Sequence, residues 1–125
     1  MTAMSDYLEN ALLDHVLRNT AYTSPTTVYV KLHTGAPGEA GTANAAGETT
    51  RVAATFGAAS GGTISNSAAI QWSSVSTTET YSHISIWDHL TAGNCLLVGA
   101  LSSSKAVTSG EDAEFAIGDL DVTFA

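Results

Sequence analysis

An antiparallel β-sandwich-like domain of about seven or eight short strands, preceded by one N-terminal α-helix, is the fold class this sequence predicts. Three observations predict it. Apolar residues recur with a helical period before Pro25 and alternate with a period of two after it. Turn-forming Gly, Ser, Thr and Asn interrupt the alternating part at intervals of roughly 8–12 residues. The chain has 125 residues and a single cysteine, so it is long enough for one core and has no internal disulfide to staple it. The expected organisation is one domain over residues 1–125, with the helix at 5–18 and the β part at 26–125.

The helix is read from "SDYLENALLDHVLRN", residues 5–19, where Leu8, Leu12, Leu13, Val16 and Leu17 form one stripe. Ser5 is placed as N-cap. Asp6 and Glu9 suit the positive end of the helix dipole, and Arg18 suits the negative end. Asn19 can adopt the left-handed closing conformation, and Pro25 stops continuation. A helix of about 14 residues is roughly 21 Å long and unstable in isolation. Its stripe must therefore rest on the β domain or on a partner.

In "TVYVKLHT", Val28, Val30 and Leu32 point one way while Tyr29, Lys31 and His33 point the other, which is a half-buried strand. The segment "GAPGEAGTANAAGE", residues 35–48, has four glycines, one proline and no large apolar residue. It is expected to be a long exposed loop with no anchor of its own, mobile until a neighbour orders it. Strands follow in "TRVAATFGA", with Val52, Ala54 and Phe56 in phase, and in "TISNSAAIQW", with Ile70 and Trp72. "YSHISIWD" sets Ile84 and Ile86 against Tyr81, His83, Ser85 and Trp87. "CLLVGAL" is apolar on both faces, as a central strand requires, and Cys95 within it reads as a small buried hydrophobe. "AEFAIGDLDVTFA" supplies the last strand or pair.

Charge narrows the function. Only 13% of residues are charged, and the net charge is −8 with Arg18, Lys31, Arg51 and Lys105 the only basic residues. Neutralising phosphates needs clustered Lys and Arg, so nucleic acid is excluded as a partner, and anionic membrane for the same reason. No apolar run approaches the roughly 18 residues of a membrane span. Acids stand where a signal peptide needs a basic region, so synthesis in the host cytoplasm is expected.

No catalytic constellation emerges. His15, His33, His83 and His89 lack metal-ligand spacing, and neither HExxH nor CxxC occurs. No GxSxG elbow is present, although a Ser–His–Asp triad is defined by geometry rather than sequence. "GAPGEAG" lacks the Lys-Ser/Thr ending of a phosphate loop. Glu111, Asp112, Glu114, Asp119 and Asp121 offer oxygens suited to calcium, but without EF-hand spacing they read as the wet face of an amphipathic strand. No cofactor is expected, and the protein is expected not to be an enzyme. Trp72 and Trp87, if exposed, would suit a small carbohydrate-binding module.

The opening "SDYLENALLDHVLRNTAYT", the strand and turn "VYVKLHTGAPGE" and the block "IWDHLTAGNCLLVGALSSSKAV" together resemble a family of small tailed-bacteriophage virion proteins. Members carry tail fibre or minor tail labels, and some resemble capsid decoration (cement) proteins. The resemblance spans nearly the whole chain. It brings no catalytic motif, and Lys31 and His33 stand where an apolar strand would be expected of relatives.

The resemblance implies a non-enzymatic virion structural protein. Between the two placements, the short length favours a cement protein on the capsid exterior. Such a protein binds the major capsid protein and itself, as a homotrimer. A tail or tail-fibre component is the alternative. Expected partner contacts are Met1, Met4 and Tyr7 at the front, and Ala36, Pro37, Gly38 and Glu39 at the loop tip.

Overall fold

The computed structural model describes residues 2–124, so Met1, one of the expected contact residues, lies outside the described part. The chain is mainly β with one N-terminal helix. Its elements are β1 (Thr2–Met4), α1 (Asp6–Leu17), β2 (Val28–His33), β3 (Val52–Ala54), β4 (Thr63–Ser65), β5 (Ile70–Trp72), β6 (Glu79–Trp87), β7 (Cys95–Val107), β8 (Ala113–Phe115) and β9 (Asp121–Thr123). Nine strands are present among the described residues, where the sequence pattern suggests seven or eight. Three-residue strands such as β1 and β4 are too short for alternation to register.

All pairing is antiparallel. One sheet has five strands in the order β1-β7-β6-β2-β3, and two separate ladders pair β4 with β9 and β5 with β8. The period of two decides what each face buries. Val30 and Leu32 lie opposite Ile86 and Ile84 across the β2–β6 ladder, and all four point into the core. The two ladders close that core from the other side with Ile70, Trp72, Ala113, Phe115 and Val122, which gives a two-layered, sandwich-like arrangement. Trp72 meets Phe115 edge to face at 5.8 Å, and its Nε1–H donates to the Thr50 carbonyl at 2.8 Å. The buried Asn66 ties the turn between β8 and β9. Its Nδ2 donates to the Ala68 and Ala116 carbonyls, and its Oδ1 accepts from Leu120 N–H.

β7 runs between β1 and β6, the central position that its two apolar faces predict. It is bulged where Leu96 is inserted opposite Ile86 and Trp87. The helix begins on this strand. Ser5 N–H donates to the Leu96 carbonyl at 2.9 Å, and the Ser5 hydroxyl donates to the Cys95 carbonyl at 2.5 Å while accepting from Leu8 N–H at 3.2 Å. At the far end Asn19 closes the helix with φ of +56°.

Residues 35–48 form a long loop, but they depart from the expectation that it has no anchor of its own. Pro37, Gly41, Ala46 and Glu48 are buried. The anchors are main-chain groups, which composition does not reveal. Ala46 N–H donates to the Leu32 carbonyl, and Gly47 and Glu48 N–H groups donate to the two carboxylate oxygens of Glu79 at 2.9 and 3.0 Å. Asn44 Nδ2 reaches back to the Ala36 carbonyl at 2.8 Å and closes the loop on itself.

Candidate functional site

The outer face of the five-stranded sheet, turned away from the main core, carries the chemistry-bearing side chains. Tyr29, Lys31 and His33 from β2 lie across from Trp87, Ser85 and His83 of β6. Period-two alternation puts these groups on the face that the main core leaves free. The loop 35–48 and the start of α1 then cover part of that face.

A relay of hydrogen bonds runs beneath the loop. Trp87 Nε1–H donates to Ser85 Oγ at 2.8 Å, and Ser85 Oγ lies 2.7 Å from His33 Nε2. His33 Nδ1 lies 2.9 Å from the Ala43 carbonyl, so Nδ1 carries the ring hydrogen and Nε2 accepts from the serine. Burial holds the His33 imidazole below its ordinary range, and Lys31 and His83 add to that against the Ala43 bond. Ser85 and His33 have no exposed surface, and the ring nitrogen away from the serine meets a carbonyl rather than a carboxylate. The pair thus ties the loop to the sheet through fully satisfied polar groups. This accounts for a histidine in a strand otherwise suited to apolar residues.

Beside the relay, Trp87, Cys95 and Val98 form a second small cluster. The Arg51 guanidinium stacks on the Trp87 ring at 3.9 Å and donates to the His89 and Ala92 carbonyls, both at 2.8 Å. It thereby holds the turn between β6 and β7. Burial pushes the Cys95 thiol up to about 11, which leaves it protonated and inert as a nucleophile. Gly41 packs directly on this cluster. A Cβ there would meet Cys95 Sγ at 2.5 Å, and its φ of +72° suits glycine.

These elements enclose a cleft of about 290 Å³ between the helix start, the loop tip and the β6–β7 turn. Tyr7 and Glu39, expected as contacts from opposite ends of 30-odd residues of chain, line it together with Asp6 and Asn94. Met4 is half-buried in β1 opposite Leu97. Ala36, Gly38 and Glu39 are exposed, and Pro37 is buried beneath them with its carbonyl accepting from Ala43 N–H. A side-chain hydrogen bond with Asp6, and the charges of Asp6 and Glu9, hold the Glu39 carboxyl above its ordinary range. The helix start and the loop tip thus form one acidic surface. Asp6, Trp87 and Asn94 were not anticipated there, because only the fold brings the β6–β7 turn to the helix.

The C-terminal acids have local duties. Asp112 accepts from Ser74 N–H and Gln71 Nε2, Asp119 from Ala116 N–H, Glu111 from Thr108 N–H, and Asp121 from the Ser65 hydroxyl. Among the described residues, no group of three or more His, Cys, Asp or Glu is placed to hold a metal ion. A shallow groove of about 480 Å³ lies nearby, between Ser102 and Lys105 on β7 and the Asp119–Asp121 segment. Trp72 and Trp87 are both buried, at 2% and 8% exposure, which corrects the carbohydrate-binding alternative: neither presents the open ring on which a sugar would stack.

Among the described residues, three of the exposed large apolar side chains lie on the last turns of the helix. Leu8 is buried, while Leu13, Val16 and Leu17 on the last turns are 58, 72 and 75% exposed. No helix is long and apolar enough to cross a membrane among the described residues. No curated protein matches this chain. The family of the podophage GP4 fiber I protein gp80 matches residues 3–123, nearly all of the mostly-β fold and its helix, and the chain belongs to that family of phage virion structural proteins.

Proposed function

We propose that this chain is a fibre-associated structural component of a podophage tail, and that it acts by packing against neighbouring virion proteins rather than by catalysis. The fibre label of its family supports the placement. The single observation that carries the mode of action is the helix, held to β7 at its first turn and apolar but uncovered at its last. A soluble domain gains nothing from three exposed aliphatic side chains on one face, whereas an assembling one does.

Capsid decoration is the second reading. It is favoured by the build of the domain, since the described residues form a short sandwich-like unit and no elongated shaft. In that arrangement a homotrimer on the capsid exterior would bind the major capsid protein and stabilise the assembled shell by mass action.

Immunogold labelling of intact virions separates the two. The fibre reading expects gold at the tail, and phage lacking the gene to lose fibre density and adsorb poorly. Gold over the capsid faces, with fibres intact in the deletion, would replace it with the decoration reading.

A further inference from the structure

We infer that the free end of α1 is a docking peg for another virion protein, one that offers an apolar groove rimmed by Lys and Arg. The inference rests on the virion reading above and is independent of the choice between tail and capsid.

Leu13, Val16 and Leu17 follow the i, i+3, i+4 spacing that places side chains on one helix face. That face projects beyond the sheet, because Ser5 and Leu8 alone seat the helix deeply and the anchoring bonds go to Cys95 and Leu96. Helix-in-groove recognition reads such a face through these anchors.

Charge chooses the partner. Glu9 lies one turn before Leu13 on the same side of the helix, and Asp6 and Glu39 extend the negative surface toward the loop. Arg18, the helix's cation, is already engaged by Asp14 at 3.1 Å. The whole chain carries a net charge of −8. A groove with a basic rim complements this surface, and the helix of a second copy does not, since it brings the same acidic face with its one Arg already engaged by Asp14. Three side chains also fall well short of the about 800 Å² per partner that a free-standing dimer buries. A preformed groove in a many-copy assembly needs less.

The test places p-benzoylphenylalanine at Val16, irradiates purified virions and identifies the adduct by mass spectrometry. The expected product is a cross-link to a different virion protein, at an apolar site flanked by Lys or Arg. A cross-link to a second copy of this chain, or none although the chain is present in the particle, overturns the inference. Absence of the unsubstituted chain from purified virions overturns it and the virion reading together.

A second arm counts copies per virion for L13S/V16S/L17S and for Glu9→Lys. The free triple variant is expected to melt as the wild type does, because these side chains are already exposed. Its occupancy is expected to fall about tenfold or more, each buried aliphatic side chain being worth about that factor. Glu9→Lys is expected to lower occupancy as well. Unchanged occupancy in the triple variant overturns the peg.

Discussion

At the residue scale the outer face of the sheet is the most sensitive part of the molecule, because its polar groups have no slack. Ser85 is at once acceptor for Trp87 and donor to His33, so Ser85→Ala leaves a buried N–H and a buried ring nitrogen unpaired. Urea unfolding should show a loss of about 2–4 kcal/mol, one to two unsatisfied groups' worth. His33 adds a pH dependence. Its pKa in the folded protein lies below the ordinary histidine value of 6.5, so its contribution is complete above that value and is lost as pH falls through the folded one. Stability should therefore decline below about pH 6.5 more steeply in the wild type than in His33→Gln, as measured by thermal melts at stepped pH. Gly41 and Gly38 make an internal comparison, since both have positive φ but only Gly41 is enclosed. Gly38→Ala should cost about 1 kcal/mol from conformation alone, and Gly41→Ala about 1–3 kcal/mol more from collision with Cys95 and Trp87. Equal melting temperatures for the two variants would contradict the packing described for the loop. Much of this layer was hidden in the sequence. "VYVKLH" places His33 opposite the core face but says nothing of Ser85, 52 positions away, and a glycine under a cysteine looks like any loop glycine.

At the element scale, legibility followed length and regularity. β2, β6 and the apolar half of β7 alternate or are apolar over six residues or more, so their positions could be read directly. Tyr81, expected on the outer face with His83, instead joins Ile84 and Ile86 in the core, because the β6–β7 register shifts between Tyr81 and His83. β1 and β4 have three residues each and exist because a longer neighbour offers them an edge, a tertiary cause that local pattern does not contain. The helix was legible with its caps, but which part of its stripe the sheet would cover depends on where Ser5 is pinned. Ser5→Ala removes the N-cap acceptor and the bond to Cys95, and should cost about 1–3 kcal/mol. Hydrogen exchange should quicken over residues 6–17 before the sheet responds, because the helix has few other attachments. The loop 35–48 was legible in its length but not in its anchors: its composition is that of a free arm, yet Glu79 grips its C-terminal end with both oxygens. Glu79→Ala should open it, and limited proteolysis between Gly38 and Gly47 should then run faster than in the wild type. Identical cleavage rates would mean that the Glu79 clamp does not hold the loop closed.

At the scale of the whole molecule, a mainly β unit carries on one side a cleft and a helix that the unit does not itself use. The family was readable from the opening helix, the "VYVKLHTGAPGE" strand and turn and the "IWDHLTAGNCLLVGALSSSKAV" block, and its match extends over residues 3–123. The placement on the particle was not readable, because low charge suits a tail component and a capsid decoration equally, and the short length that favours decoration stands against the fibre label of the family. The surface is acidic where the helix and loop tip meet, and apolar where the helix ends, so assembly should weaken when salt screens the first and when polar residues replace the second. Raising salt should then release the wild-type chain from virions more readily, whereas Glu9→Lys, held more weakly at low salt, should lose part of its difference from the wild type as salt rises. In the proposed arrangement the chain is built into the particle at the tail, with the helix end buried in a neighbour. A cryo-EM reconstruction of the intact virion tests it most directly. The expected result is density for the five-stranded sheet and its two ladders at the tail, with Leu13, Val16 and Leu17 seated against another protein. Density for this fold on the capsid, or at the tail with those three side chains facing solvent, would contradict it.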